Sequence, residues 1–198
     1  WALWLWEKGF RLLVLAGVIA LIVLLLLSDT PDERLEAIEA QLSEEPARAY
    51  EPPDLASLAT KTDVTSLAVH EATYVPAYSH IYYHEGRPYR LEVTLSIRNT
   101  NIDGPLYLKS VRYYDTSGAL KREFLNGPVR LSPLQTLEFL VSRQNTAGGS
   151  GANFIVEWAV ENEEHDAPII EAVMVGASGT SAISFTRTGR PMNLRAAD

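Results

Sequence analysis

Hydrophobic and polar positions follow three regimes along the chain. Residues 12–27 are sixteen consecutive apolar or glycine positions. A polar stretch follows, and from about residue 67 the period becomes two. In RLEVTLSIRNTN, Leu91, Val93, Leu95 and Ile97 point one way, and Glu92, Thr94, Ser96 and Arg98 the other, which predicts a half-buried strand. LYLKSVRYYDTSGALKREFL predicts two strands around a turn at Asp115-Thr116-Ser117-Gly118. LQTLEFLVSRQ, NFIVEWAVE, IIEAVMVGA and AISFTRTG predict four more. VHEATYVPAYSHIYY begins the series, with Pro76 expected to confine part of it to a sheet edge. Seven or eight short strands with turns between them predict a mainly β domain over residues 67–198, an antiparallel β-sandwich of immunoglobulin-like type, with a small barrel as the alternative.

The apolar run spans about 24 Å as a helix, short of a hydrocarbon core of about 30 Å. Arg11 can snorkel, and Phe10 with the tryptophans lengthens the apolar stretch. Trp1, Trp4 and Trp6 suit the membrane interface, where an indole ring sits at the acyl boundary with its N–H in water. A cleaved secretory signal would need small residues before the cut, and LLLLSDTPDE lacks them at both required positions. Residues 1–28 are therefore expected to be a retained transmembrane anchor. Lys8 and Arg11 precede the run and SDTPDERLEAIEAQLSEE follows it. The positive-inside rule then places the N-terminus in the cytoplasm and the rest in the periplasm of a bacterial inner membrane. No residue of the run is ionisable, so it carries no proton relay, and no histidine is present to ligate a pigment or haem.

Residues 29–66 read as a connector. Pro31 opens a short amphipathic helix capped by Asp29 or Thr30, with Leu35, Ile38 and Leu42 as one narrow apolar stripe for docking on another protein or on the chain's own domain. EEPARAYEPPDLASLATKTD reads as an extended, acidic, proline-rich spacer.

Composition narrows the function classes. The net charge is −8 and the arginines are scattered, which argues against nucleic acid. The chain has no cysteine, so disulfides and thiolate metal sites are excluded.

The blocks YVPAYSHIYY, LEVTLSIRNTN, SVRYYDTSG, TAGGSGANFIVEW and EAVMVGASGTSAISFTRTGR occur in an order that resembles the bacterial family known as domain of unknown function 3124, over about residues 74–189. The resemblance implies an exported or membrane-anchored protein and brings no assigned activity. The tryptophan-rich start and the acidic connector fall outside it.

The candidate sites are few. In TAGGSGANF, Gly148, Gly149, Ser150 and Gly151 form either a hairpin turn needing positive φ, a partner-contacting loop tip, or an anion nest. A strand pattern rather than a helix follows, which disfavours phosphate binding. His80 and His84 share a strand face about 13 Å apart, too far for one metal unless a turn at His84-Glu85-Gly86 bends them together. ENEEHDAP is expected to be a solvated acidic loop without the glycine of a calcium site. Ser178 lacks a strand–turn–helix context, and nothing points to a raised carboxylate pKa at Glu157 or Glu171. Trp158 reads as a core aromatic. The pairs Tyr82-Tyr83 and Tyr113-Tyr114 should each turn one ring outward.

No catalytic residue, cofactor or metal ligand is expected. The expected role is a non-catalytic, anchored accessory subunit that clamps a larger bacterial membrane complex, photosynthetic or respiratory. The alternative is a tethered periplasmic ligand-binding or sensing module.

Overall fold

The computed structural model describes residues 49–145, 147–178 and 180–192, together with Val14, Leu15, Val18 and Ile19. Trp1–Ala49 and Tyr50–Asp198 form two compact units. In the first, Val14, Leu15, Val18 and Ile19 are helical and exposed. The rest of the expected anchor and amphipathic helix, including Trp1, Trp4, Trp6, Lys8, Arg11, Leu35, Ile38 and Leu42, lies outside the described residues. Among the described residues no helix is long and apolar enough to cross a membrane.

The second unit is mainly β and its sheets are antiparallel. Its strands are β1 (Val69–Pro76), β2 (His80–Tyr83), β3 (Arg87–Arg90), β4 (Glu92–Arg98), β5 (Leu106–Tyr114), β6 (Leu120–Glu123), β7 (Val129–Leu131), β8 (Thr136–Val141), β9 (Asn153–Val160), β10 (Ile169–Ser178), β11 (Ser181–Thr188) and β12 (Arg190–Met192). One sheet runs β12-β1-β9-β5-β6, with β7 also on β5. A second runs β11-β10-β4-β8, and β2-β3 make a separate hairpin.

Alternation decides which face each strand buries. Val93, Leu95 and Ile97 of β4, Leu137, Phe139 and Val141 of β8, and Ile170, Ala172 and Met174 of β10 turn inward from the four-stranded sheet. Phe154, Val156, Trp158 and Val160 of β9 do so from the six-stranded sheet and join the same core. Phe124, just after β6, has its ring 4.9 Å from Phe139 and 6.1 Å from Phe154, so one side chain touches both sheets. Trp158 is a core residue, as its spacing predicts, and its indole N–H finds the partner that burial demands by donating to Thr73 Oγ1 at 3.0 Å.

Pro76 lies at an edge, as expected for part of this stretch: β12 pairs β1 only over Ala72–Tyr74, and Pro76, the last residue of β1, pairs among the described residues with β9 alone. One local expectation is corrected. Residues 50–66 are not bare spacer. Asp54 accepts from Ala56 N and Ser57 N and caps the short helix α1 (Leu55–Leu58), whose Leu55 and Leu58 pack on the main core. Asp63 likewise caps a 3-10 turn over Val64–Ser66, and Val64 is buried with Tyr107 and Ala159 on the outer face of the six-stranded sheet. Each element is one turn long, too short to announce itself as a period.

One end of the unit is held by a polar staple. Asn99 is buried and its side-chain amide faces three carbonyls, Gly104 O at 2.8 Å, Ser132 O at 3.0 Å and Leu131 O at 3.4 Å. Its Oδ1 accepts from Asn101 N and Asn101 Nδ2, each at 3.1 Å. Asn101 then accepts from Asp166 N and donates to Asp166 O. The β4–β5 and β9–β10 connections, both crossing between sheets, are thereby joined. The acidic loop at residues 161–168 is consequently solvated only in part: Asp166 is tied to Asn101, and the His165 ring occupies the space a side chain at Gly104 would need.

Candidate functional site

The opposite end carries the most exposed aromatic surface. The β2–β3 hairpin turns through His84, Glu85 and Gly86, at φ 40°, 59° and 91°. Three successive left-handed residues reverse the chain tightly, and only the third is a glycine. Pairing of Ile81 with Tyr89 and of Tyr83 with Arg87 stands the hairpin off the two sheets. Tyr82 and Tyr83 are 62% and 46% exposed, so both rings of this pair face water and only Tyr113-Tyr114 divides into an inner and an outer ring.

The hairpin leans on the β10–β11 ribbon. Tyr89 Oη donates to Ser181 O at 3.2 Å. Its ring passes so close over Gly176 that a Cβ there would strike the ring, Leu91 and Arg90 O. Between ribbon and hairpin lies an open cleft of about 280 Å³, lined by Ile81, Tyr83, Tyr89, Ser181, Ala182 and Ile183. Nearby, the Tyr78 and Phe185 rings meet edge to face at 5.9 Å under the Arg187 guanidinium. The surface is apolar, aromatic and polar-rimmed, a composition that serves recognition better than proton transfer.

His80 and His84 are not brought together as ligands. Each ring meets a tyrosine edge to face, His80 with Tyr82 and His84 with Tyr83, at 5.0 and 4.8 Å. Among the described residues no three His, Cys, Asp or Glu side chains gather in a metal-holding group.

The glycine loop joins β8 to β9, strands of different sheets, so it is a crossover and not the expected hairpin turn. Gly148 is buried against Tyr113, and a Cβ there would strike Tyr113 Oη. Gly149 has φ 79°, and its carbonyl accepts from Ser79 N and Ser79 Oγ at 3.1 and 3.0 Å. Gly148 O accepts from Thr116 N and Oγ1, and Gly151 N donates to Thr116 Oγ1 at 2.9 Å. These bonds hold the loop's carbonyls, and of its N–H groups Gly151 N, against the β1–β2 and β5–β6 connections. Ser150 is half-buried and Gly151 exposed at its rim. Among the described residues Tyr113 Oη has no hydrogen-bond partner, and burial, with Asp115 nearby, raises its pKa to about 12. Gly148→Ala should cost about 2 kcal/mol, and adding Tyr113→Phe should recover part of it, because the second change removes the clashing hydroxyl while Tyr113 Cζ and Ala152 Cβ still crowd the new methyl. Urea unfolding of the two single variants and the double variant measures the coupling.

The charged cluster of the six-stranded sheet was not legible from spacing. A bulge between Leu108 and Ser110 inserts Lys109, whose Nζ lies 3.0 Å from Glu157 Oε2, and Arg112 pairs with the other carboxylate oxygen. Burial acts to raise the Glu157 pKa, but Lys109 and Arg112 together outweigh it and the net shift is downward. Glu157 is held as a carboxylate and has no proton to donate near neutrality. Asp115 is also lowered, chiefly by Lys121 and Ser117, and Asp63 by Thr65. A depressed carboxylate contributes stability above its unfolded pKa of about 4, and that contribution is lost as pH falls through the lower folded value. The urea midpoint should therefore fall between about pH 5 and pH 2, and Glu157→Gln should flatten part of that slope. Parallel slopes for the two proteins would refute the assignment to Glu157.

Comparison with known proteins identifies a family and no activity. No curated protein matches the sequence. Among solved structures the chain is similar to the crystal structure of Thermotoga maritima 1070, with 10% identity, a TM-score of 0.37, and 61% of this chain and 92% of that one covered. The family model for "Protein of unknown function (DUF3124)" matches residues 70–192, well over half of the chain and all of β2 to β12 with β1 but for its first residue, so the protein belongs to the DUF3124 family.

Proposed function

We propose that the protein is a non-catalytic accessory subunit, held at the bacterial inner membrane by residues 1–28, whose periplasmic domain docks on a larger membrane-protein complex. The exposed tyrosines of the β2–β3 hairpin above an apolar cleft carry this reading. Tyrosine presents a large amphipathic ring at small entropic cost and is enriched where interfaces bury area. The basic residues before the apolar run and the acidic ones after it support the orientation.

The architecture fits an immunoglobulin-like β-sandwich in its centre. There β4 pairs β8 while β5 pairs β9, the arrangement of strands B, E, C and F. The flanking strands are exchanged, with β1 beside β9 and β10 beside β4. Exchanged flanks leave the central interlock intact and place the β2–β3 excursion beside the β10–β11 turn.

Purification of the full chain in mild detergent, followed by mass spectrometry of what accompanies it, tests the proposal. A fixed set of membrane subunits is the expected result, and a chain that travels alone sinks the docking reading. The cleft itself favours a second reading, a small-ligand or sensing module. A thermal-shift screen with apolar and aromatic compounds would support that reading by a large stabilisation from one chemical class.

A further inference from the structure

Sheet edges are where a β protein is exposed to unwanted pairing, and most edges here are blunted. In the six-stranded sheet the outer strands are short: β12 has three residues, β6 four and β7 three. In the four-stranded sheet the β8 side is partly occupied: Tyr50 Oη donates to Glu138 O at 3.1 Å, and Tyr50, Pro52 and Pro53 line an open groove with Phe139 and Val141. The remaining edge is β11. It has eight residues, nearly all exposed, and among the described residues it pairs with β10 alone. The usual edge protections are missing along it: it has no proline, no lysine, and one charge, Arg187. Its register with β10 runs unbroken from Ser181 to Thr188, so no bulge twists it away.

We infer that two copies of the chain pair through β11, antiparallel about a two-fold axis at Ser184, joining the two four-stranded sheets into one continuous sheet. Such an axis keeps each residue on its own face, so Ile183 meets Phe185 of the second copy, and the reverse pair forms across the axis. An aromatic residue opposite a β-branched one is a favourable cross-strand pair. Arg187 falls opposite Ser181, so no like charges oppose each other. Moving the axis to Phe185 would set each Arg187 against Ile183 of the other copy and exchange two aromatic–aliphatic pairs for one Phe185–Phe185 pair, which favours the Ser184 register. The strand carries its own complement, so a second copy is the occupant its chemistry fits. The inference does not depend on the accessory-subunit reading, and its readout is oligomeric state, not capture of other proteins.

The absence of cysteine permits a clean test. In the full chain kept in mild detergent, Ser184→Cys places two thiols opposite each other at the axis, within disulfide reach. Thr186→Cys places them about 14 Å apart along the strands, out of reach. Mild oxidation should convert most of the Ser184→Cys protein to a species of twice the chain mass and leave Thr186→Cys uncrosslinked. Light scattering of the unmodified protein should give twice the 21.9 kDa chain mass. A single-chain mass in solution, or equal crosslinking of the two variants, overturns the inference. A chain that is monomeric alone yet binds another protein along β11 overturns it as well.

Discussion

Replacing Asn99 by leucine, a side chain of similar volume, is expected to lower the stability of the β domain by about 4 kcal/mol. The substitution deprives Gly104 O and Ser132 O of their side-chain donor and takes the acceptor from Asn101 N and Nδ2. Stranding a buried polar group costs about 1–3 kcal/mol, and only partial relaxation is open to a residue that is 2% exposed. Other groups cannot replace it, because the amide reaches the β4–β5 and β7–β8 connections and, through Asn101, the β9–β10 connection. The urea midpoint should drop by about 2 M and the melting temperature by about 10 °C. Ile102, three residues from Asn99 yet 80% exposed, is the control: Ile102→Ser should leave both quantities nearly unchanged. Equal and small losses for Asn99→Leu and Ile102→Ser would mean that the staple does not hold this end.

The second large effect concerns recognition. With Tyr82 and Tyr83 both replaced by serine, capture of the partner complex should weaken at least thirtyfold, about 2 kcal/mol, the scale of an interface hot spot. The fold should barely respond, because neither ring belongs to the core: Tyr83 meets Tyr89 edge to face at 5.5 Å, and Tyr82 meets His80 edge to face at 5.0 Å. Unfolding in urea separates the outcomes. Weakened capture with an unchanged midpoint places the contact on the hairpin. Unchanged capture with an unchanged midpoint moves the interface elsewhere on the domain. Relative to Asn99→Leu the signature is reversed, since that change attacks stability from the far end.

The contrast between these two sites shows what sequence patterning can carry. β4, β9 and β10 were legible because burial on one face enforces a two-residue period, and Trp158 announced its place by its phase. The turn at Asp115 was legible for a local reason: Asp115 Oδ1 accepts from Ser117 N and Ala119 N, and Gly118 takes φ 82°. Asn99 and Asn101 gave no such signal. In RNTN they look like an ordinary strand end, and their significance depends on Asp166, 65 residues from Asn101. Glu157 is similar: its partners Lys109 and Arg112 arrive from β5 through a bulge that no spacing displays. The β2–β3 hairpin was merged with β1, because His84 and Glu85 occupy left-handed positions that hairpins more often give to asparagine and glycine.

The sequence by itself determined the membership of the family, the mainly β character of residues from about 67 onward, and the residues that face the core. These follow from local repetition, and each strand states its own phase. Which strands neighbour one another, which edges stay open, and which loops meet were decided only in the tertiary structure. Pairing of β1 with β9 or of β10 with β4 depends on contacts between distant segments, and nothing in either strand's alternation names its partner. The glycine loop shows the same division. Its composition announced close backbone approach, but only the fold revealed that the approach is inward, against Tyr113 and Thr116, while the β2–β3 hairpin built the exposed aromatic face.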